Sequence, residues 1–378
     1  MISNSDNAGN DRPRWRGSAK SGITSVRLPG TSGLQPTGSP TGCWRRRQTI
    51  AQGAISKAWV LLSEDDARRR RPCPPGGRTR NGTAVIEEAG MDVAVLGMGR
   101  MGRALAARLL EGGHRVAVWN RSKGKAGEVV SAGAREAQSV ADAVDGVDVA
   151  VTMLANDDAV RAVALGELWS SIRAKSIYVD CSTVSPKLSG ELAETFPARF
   201  LAMPVVGSPV AVRAGQAVFL AGGNAGVVDR LQPVLSSLSD AIRRYDTAPL
   251  AITAKLATNL LLLSQVIALA ESFAVGRSGG LSDDQLRDLL GTSPVVAPGL
   301  KNRFEDVLTG SQEGWWTTVL GAKDAGLALD IARGANVELP AAQVVQQLYE
   351  KAAASGLDDA DIATVTKLYH GPATTVLT

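Results

Sequence analysis

The hexapeptide "GMGRMG", residues 97–102, constrains this chain more than any other stretch. The apolar run "DVAVL" precedes it, "RALAARLLEGG" follows with helical periodicity, and "HRVAVWN" returns to a strand-like pattern. Strand, glycine turn, helix and strand in that order read as a β-α-β crossover with its two strands parallel. Gly97 permits the tight turn, Gly99 lets a pyrophosphate come against the backbone, and Gly102 lets helix and strand pack closely. Amides at the start of the helix then face the phosphates. Met98 and Met101 lie in the same turn and are counted with the glycines as dinucleotide contacts.

Short apolar runs continue at "DVAVTML", "SIYVDCS", "RFLAMPV" and "AVFLAGG", separated by helical or turn-rich segments. That alternation predicts an α/β fold, a doubly wound, mainly parallel sheet of Rossmann type with helices on both faces. Beyond about residue 247 strand signals stop, and helical patterns occupy 249–277, 282–290, 316–334, 339–355 and 359–370. The expected organisation is a nucleotide-binding domain over 91–247, an all-helical C-terminal domain over 248–370 and a tail over 371–378.

Residues 1–90 differ in composition. They hold 15 Lys and Arg against 7 Asp and Glu, leaving 26 basic and 30 acidic residues, a net −4, for the remainder. The basic pI near 9.0 therefore belongs to the extension, and no nucleic-acid partner is expected for the folded part. With its Pro, Gly, Ser and Arg content the extension reads as a disordered leader or the product of a start assigned too far upstream. A transit peptide, or a nucleic-acid contact through "RRRR" at 68–71, are the other readings. No run of 18 apolar residues appears. The closest, "AKLATNLLLLSQVIALA", is interrupted by Lys255 and Asn259, so a buried helix is expected and no membrane partner. Cys181 is the one cysteine after the leader, which fits a reducing cytoplasm.

The second strand ends at Asn120, 18 residues beyond Gly102, where an acid for a ribose 2′-hydroxyl is usual in NAD-binding turns. Here stand Asn120, Arg121 and Ser122, with Lys123 and Lys125 beyond. A guanidinium can hold a 2′-phosphate in a two-pronged contact and the hydroxyl adds a donor, so the turn predicts NADP over NAD.

The chemistry narrows by exclusion. Of two histidines, His114 precedes the second strand and His370 lies near the end, and no Cys/His cluster offers a metal site. No tyrosine has a lysine four residues later. The remaining proton-transfer candidate is Lys255, with Asn259 one helical turn on and the same face. Partial desolvation among Leu and Ile would lower the lysine pKa into a useful range. The bland alternative is a lysine that snorkels to solvent.

Assembled, residues 91–370 resemble the β-hydroxyacid dehydrogenase family, of the 3-hydroxyisobutyrate dehydrogenase type. "VLGMGRMGRALAARLLEGGHRVAVWNRS" is similar to its amino-terminal signature. By position the resemblance implies cofactor contacts at Met153 and Leu154 in "TMLANDDAV", Thr183 beside the nicotinamide with Ser182 next to it at the substrate, catalytic Lys255 with partner Asn259, and Lys323 of "AKDAGLAL" on the cofactor. It also implies a homodimer joined through the helical domain. The segment that holds a substrate carboxylate in the family is here "AMPVVGSP", with Val206 in place of a serine, followed by Gly207 and Ser208. The implied activity is NADP(H)-dependent hydride transfer to or from a small 3-hydroxy acid or semialdehyde. Imine reduction is an alternative, because "VWNRS" and the Gly-Ser-Pro segment resemble imine reductases, although those generally lack the lysine. A non-catalytic NADP-binding regulator is the other.

Overall fold

The computed structural model describes residues 90–369, so the leader and His370 lie outside the described residues. Among the described residues nine strands form one sheet: β1 Asp92–Leu96, β2 Arg115–Trp119, β3 Arg135–Glu136, β4 Val149–Thr152, β5 Ile177–Asp180, β6 Phe200–Ala202, β7 Val205–Val206, β8 Val218–Gly223 and β9 Ile242–Tyr245. The order β3-β2-β1-β4-β5-β6 is parallel throughout, β8 runs antiparallel to β6 and β7, and β9 pairs with the far side of β8. The chain order reverses between β1 and β4, which opens a crevice at the carboxyl ends of those strands. Strands β1, β4 and β5 carry apolar residues on both faces, and each face packs into its own core, one including Val93, Val95 and Val151, the other Ala94, Leu96 and Tyr178. A parallel sheet covered on both sides needs such runs.

Helix α1, Arg100–Glu111, follows the glycine turn. Past β9 the described chain is helical, led by α2, Ala248–Ser278, started by Thr247, whose hydroxyl accepts from the Leu250 amide. Helix α2 meets the sheet where Gly222 has no side chain, since a Cβ there would lie 2.5 Å from the Thr247 carbonyl oxygen and the Ala251 Cβ. Its later turns join a third core with α3, Thr318–Gly334, and α4, Pro340–Ala352. By length and composition α2 would suffice to cross a membrane. Its buried side, with Ile252, Leu256, Asn259 and Leu263, is spent on protein packing, while Leu250, Leu261 and Val275 are exposed. The expected last α-helix is instead a 3-10 helix, Ile362–Tyr369, pinned by Asp361, which accepts from the Ala363 amide and pairs with buried Arg303.

Candidate functional site

The glycine turn has three differently constrained positions. Gly97 has φ +108°, and a Cβ on it would lie 2.3 Å from the Met153 carbonyl oxygen. On Gly102 a Cβ would lie 1.8 Å from the Gly97 carbonyl oxygen. On Gly99 it would meet nothing within 4 Å, so this residue faces open space, and no described side chain caps the start of α1 above it. Over it opens a cleft of about 420 Å³ lined by Met98, Gly99, Arg100, Arg103, Asn120 and Lys125. Glycine backbone, uncapped amides and cations suit a nucleotide phosphate. Asn120 acts from within: its Oδ1 accepts from the Met98 amide at 2.9 Å, and its Nδ2 donates to the Ser122 carbonyl at 2.8 Å. It thus ties the glycine turn to the exposed Arg121–Ser122 turn, and Met101 is half-buried against the core on one face of the sheet.

Along the crevice, Met153 and Leu154 leave β4, and Ser182 and Thr183 leave β5. Ser182 is fully buried and its hydroxyl accepts from the Leu154 amide at 2.9 Å. The family resemblance implies Ser182 at the substrate; in the structure its buried hydroxyl accepts from the Leu154 amide, as a buried hydroxyl must find a partner. Under it Asp180 accepts from Thr152 Oγ1 at 2.7 Å and the Ser182 amide at 3.0 Å, and Tyr178 bonds the same threonine. Burial pushes the Asp180 carboxyl up, opposed by those hydrogen bonds.

The helical domain closes the crevice from above. Lys323 on α3 donates to the Ala155 carbonyl at 3.0 Å and the Thr183 carbonyl at 2.5 Å, clamping both loops, and pairs with its neighbour Asp324 at 3.0 Å. Asp324 is buried and accepts from Asn259 Nδ2 at 2.8 Å. Lys255, one turn before Asn259, is half-buried. Desolvation lowers its pKa from 10.5 to about 8, with Asp324 pulling it up and Lys323 pushing it down. An ammonium so placed exchanges its proton near neutrality. Asp324 and Asp180 are the site members that sequence reasoning did not single out; the signal for Asp180 is a lone carboxylate at the end of an apolar run, whereas Asp324 is masked by its neighbour Lys323.

Val206 to Ser208 lie on and just past β7, a strand that α2 also contacts. Val206 ends β7, paired with Val218, and offers no donor. Gly207 has φ +148°, and the Ser208 hydroxyl accepts from the Ala211 amide. His114 is structural, bonded to the Met91 amide and Ser237. Among the described residues no group of three His, Cys, Asp or Glu could hold a metal ion.

Known proteins are similar to nearly all of the described residues. The family model described as the NAD binding domain of 6-phosphogluconate dehydrogenase matches residues 92–246, and that described as NAD-binding of NADP-dependent 3-hydroxyisobutyrate dehydrogenase matches 251–369. An uncharacterized oxidoreductase of Bacillus subtilis (strain 168), YfjR, is 31% identical over 285 residues, 73% of this chain and 99% of that protein. The 3-hydroxyisobutyrate dehydrogenase of Pseudomonas aeruginosa is 30% identical over 294 residues, 74% of this chain and 99% of that protein. Among solved structures, Mycobacterium tuberculosis 3-hydroxyisobutyrate dehydrogenase with L-serine is similar at a TM-score of 0.64 and 26% identity, covering 75% of this chain and all of that one. With the glycine cleft and the crevice loops inside the first match and Lys255 inside the second, the chain belongs to the β-hydroxyacid dehydrogenase family.

Proposed function

We propose that the protein is an NADP(H)-dependent oxidoreductase that transfers hydride to or from a small 3-hydroxy acid or semialdehyde-type carbonyl. The observation that carries this reading is Lys255, a half-buried ammonium with its pKa drawn down to about 8 beside the Asn259–Asp324 pair. The dinucleotide, when bound, supplies or accepts the hydride. In reduction Lys255 Nζ gives its proton to the oxygen that becomes the alcohol, and in oxidation it takes that proton back. Asp324 fixes the Asn259 amide, leaving the Asn259 carbonyl oxygen and one N–H to orient lysine or substrate. Lys323 holds the loops bearing Leu154 and Thr183 at a set spacing, where the nicotinamide would lie. Arg121, exposed and one residue past Asn120, supports the choice of NADP. The substrate class rests on the relatives named as 3-hydroxyisobutyrate dehydrogenases, one of them with L-serine, itself a 3-hydroxy acid. A homodimer through the exposed apolar residues of α2, in a reducing cytoplasm compatible with free Cys181, completes the reading.

Val206 favours one rival, because an apolar side chain suits an imine better than a carboxylate-bearing acid. The test is NADPH consumption by wild type and Lys255→Ala over a panel of 3-hydroxy acids, semialdehydes, ketones and cyclic imines. The proposal expects turnover of a hydroxy acid or semialdehyde that Lys255→Ala lowers at least about a hundredfold. Imine turnover that survives the substitution would replace it with imine reduction. Tight NADPH binding with no turnover of any panel member would leave a non-catalytic binding protein.

A further inference from the structure

The first turn of α1 breaks a local rule. The positive end of a helix dipole favours acids, yet this turn has none, and it carries Arg100 and Arg103. Rules of this kind are broken where a ligand supplies the missing charge. The two arginines are not dispersed into solvent in opposite directions: both line the cleft over Gly99, and Lys125 lines it from the loop beyond Arg121. No carboxylate among the described residues lines that cleft.

Arg103 is the better fixed of the pair. It is half-buried, and its Nη1 donates to the Met98 carbonyl at 3.0 Å. Helical side chains lean toward the helix start, so the guanidinium reaches back over the glycine turn. One of its five N–H groups is used by that anchor, and the planar fork is held in place for a second acceptor. Asn120, which binds the neighbouring Met98 amide, lines the same cleft. The anchor therefore holds Arg103 in the cleft that Asn120, just past the end of β2, also lines, and the end of β2 is where the ribose 2′ position of a dinucleotide lies.

We infer that Arg103 is a second specificity residue for the 2′-phosphate, clasping it from the helix side while Arg121 approaches from the strand side. This rests on the NADP reading above. Prepositioning makes the contact strong, because little side-chain freedom is lost on binding. The test is calorimetric titration of the full chain, as wild type, Arg103→Met and Arg103→Lys, with adenosine 2′,5′-bisphosphate and with 5′-AMP, together with melting curves of the ligand-free variants. Wild type should prefer the bisphosphate. Arg103→Met should lose about tenfold to a hundredfold in bisphosphate affinity and less than about twofold for AMP, as expected for one charged hydrogen-bonding partner. Arg103→Lys should fall between, keeping the charge without the anchored fork. The ligand-free melting temperature of Arg103→Met should be unchanged or higher, because a cation has left the positive end of α1. Equal losses for both ligands, no loss for either, or a lowered ligand-free melting temperature that accounts for the loss would overturn the assignment of Arg103. A wild type that binds the two ligands equally would instead overturn the NADP reading itself, and this inference with it.

Discussion

Asn259 and Asp324, 65 residues apart in sequence, meet between α2 and α3 with the amide nitrogen 2.8 Å from the carboxylate oxygen. The same carboxylate is the charge that holds the Lys255 pKa up against burial. Asp324→Asn keeps the shape and removes the charge, so the Lys255 pKa falls below about 8. The alkaline limb of kcat/KM in the reducing direction should then move to lower pH by about one unit or more, and the acid limb of the oxidising direction should move the same way. Rate profiles of the two proteins in both directions measure this. Coincident limbs would show that Asp324 does not act on the proton-transfer group.

A cation with a depressed pKa destabilises the folded state. Unfolded, Lys255 holds its proton to about pH 10.5; folded, only to about 8. The cost is fully present below pH 8 and is relieved as pH rises toward 10.5, because the unfolded chain binds more protons in that window. At 1.36 kcal/mol for each pH unit it amounts to about 3 kcal/mol. Lys255→Met should abolish turnover while raising the melting temperature by several degrees at pH 7, and this gain should shrink by pH 10. An equal or lower melting temperature at pH 7 would mean that the ammonium is well solvated in the fold.

Some of this was legible in the sequence and some was not, for physical reasons. The strands of the parallel core announce themselves because burial on both faces demands unbroken apolar runs such as residues 93–96 and 149–151. β3 and β7 have two residues each, too few for any period, and β9 reads Ile-Arg-Arg-Tyr with its two central residues exposed. The glycine turn was readable because each glycine answers a separate steric demand. Asp324 was not, since next to Lys323 it looks like half of a solvated pair; only the packing of α3 on α2 buries it against Asn259. Ser182 was placed at the substrate only by the resemblance of "VDCST" to the family's segment, and the bond its hydroxyl accepts from the Leu154 amide, 28 residues away, has no signature in the sequence.

Arg121 is exposed at the turn after β2, and Asn120 orders that turn from inside. Arg121→Ala should therefore leave the fold intact and weaken NADPH binding about tenfold or more, with less than about a twofold change for NADH. Fluorescence titration with both nucleotides checks it. Equal losses would remove Arg121 from the 2′-phosphate site.

Lys323 touches main-chain oxygens of the loops after β4 and β5. Lys323→Met removes both bonds without emptying the space. Its effect should be blind to the 2′-phosphate: NADPH and NADH affinities should fall together, by about tenfold. A loss confined to one nucleotide would show that Lys323 does not work through the loops it clamps.

The two helix-side glycines of the turn should fail in opposite ways. At Gly102 an added methyl lies 1.8 Å from the Gly97 carbonyl oxygen, and both are backbone positions, so helix and strand must separate. Gly102→Ala should cost more than about 2 kcal/mol and lower the melting temperature of the ligand-free protein. At Gly99 the backbone has φ −67° and ψ −179°, a conformation any residue adopts, and the methyl meets no described atom within 4 Å. Gly99→Ala should melt as wild type does, yet bind dinucleotide at least about tenfold more weakly, because the space it fills is the approach of the pyrophosphate to the helix amides. Melting curves with and without NADPH separate the two. A Gly99→Ala protein that binds NADPH as wild type does would move the pyrophosphate away from this turn.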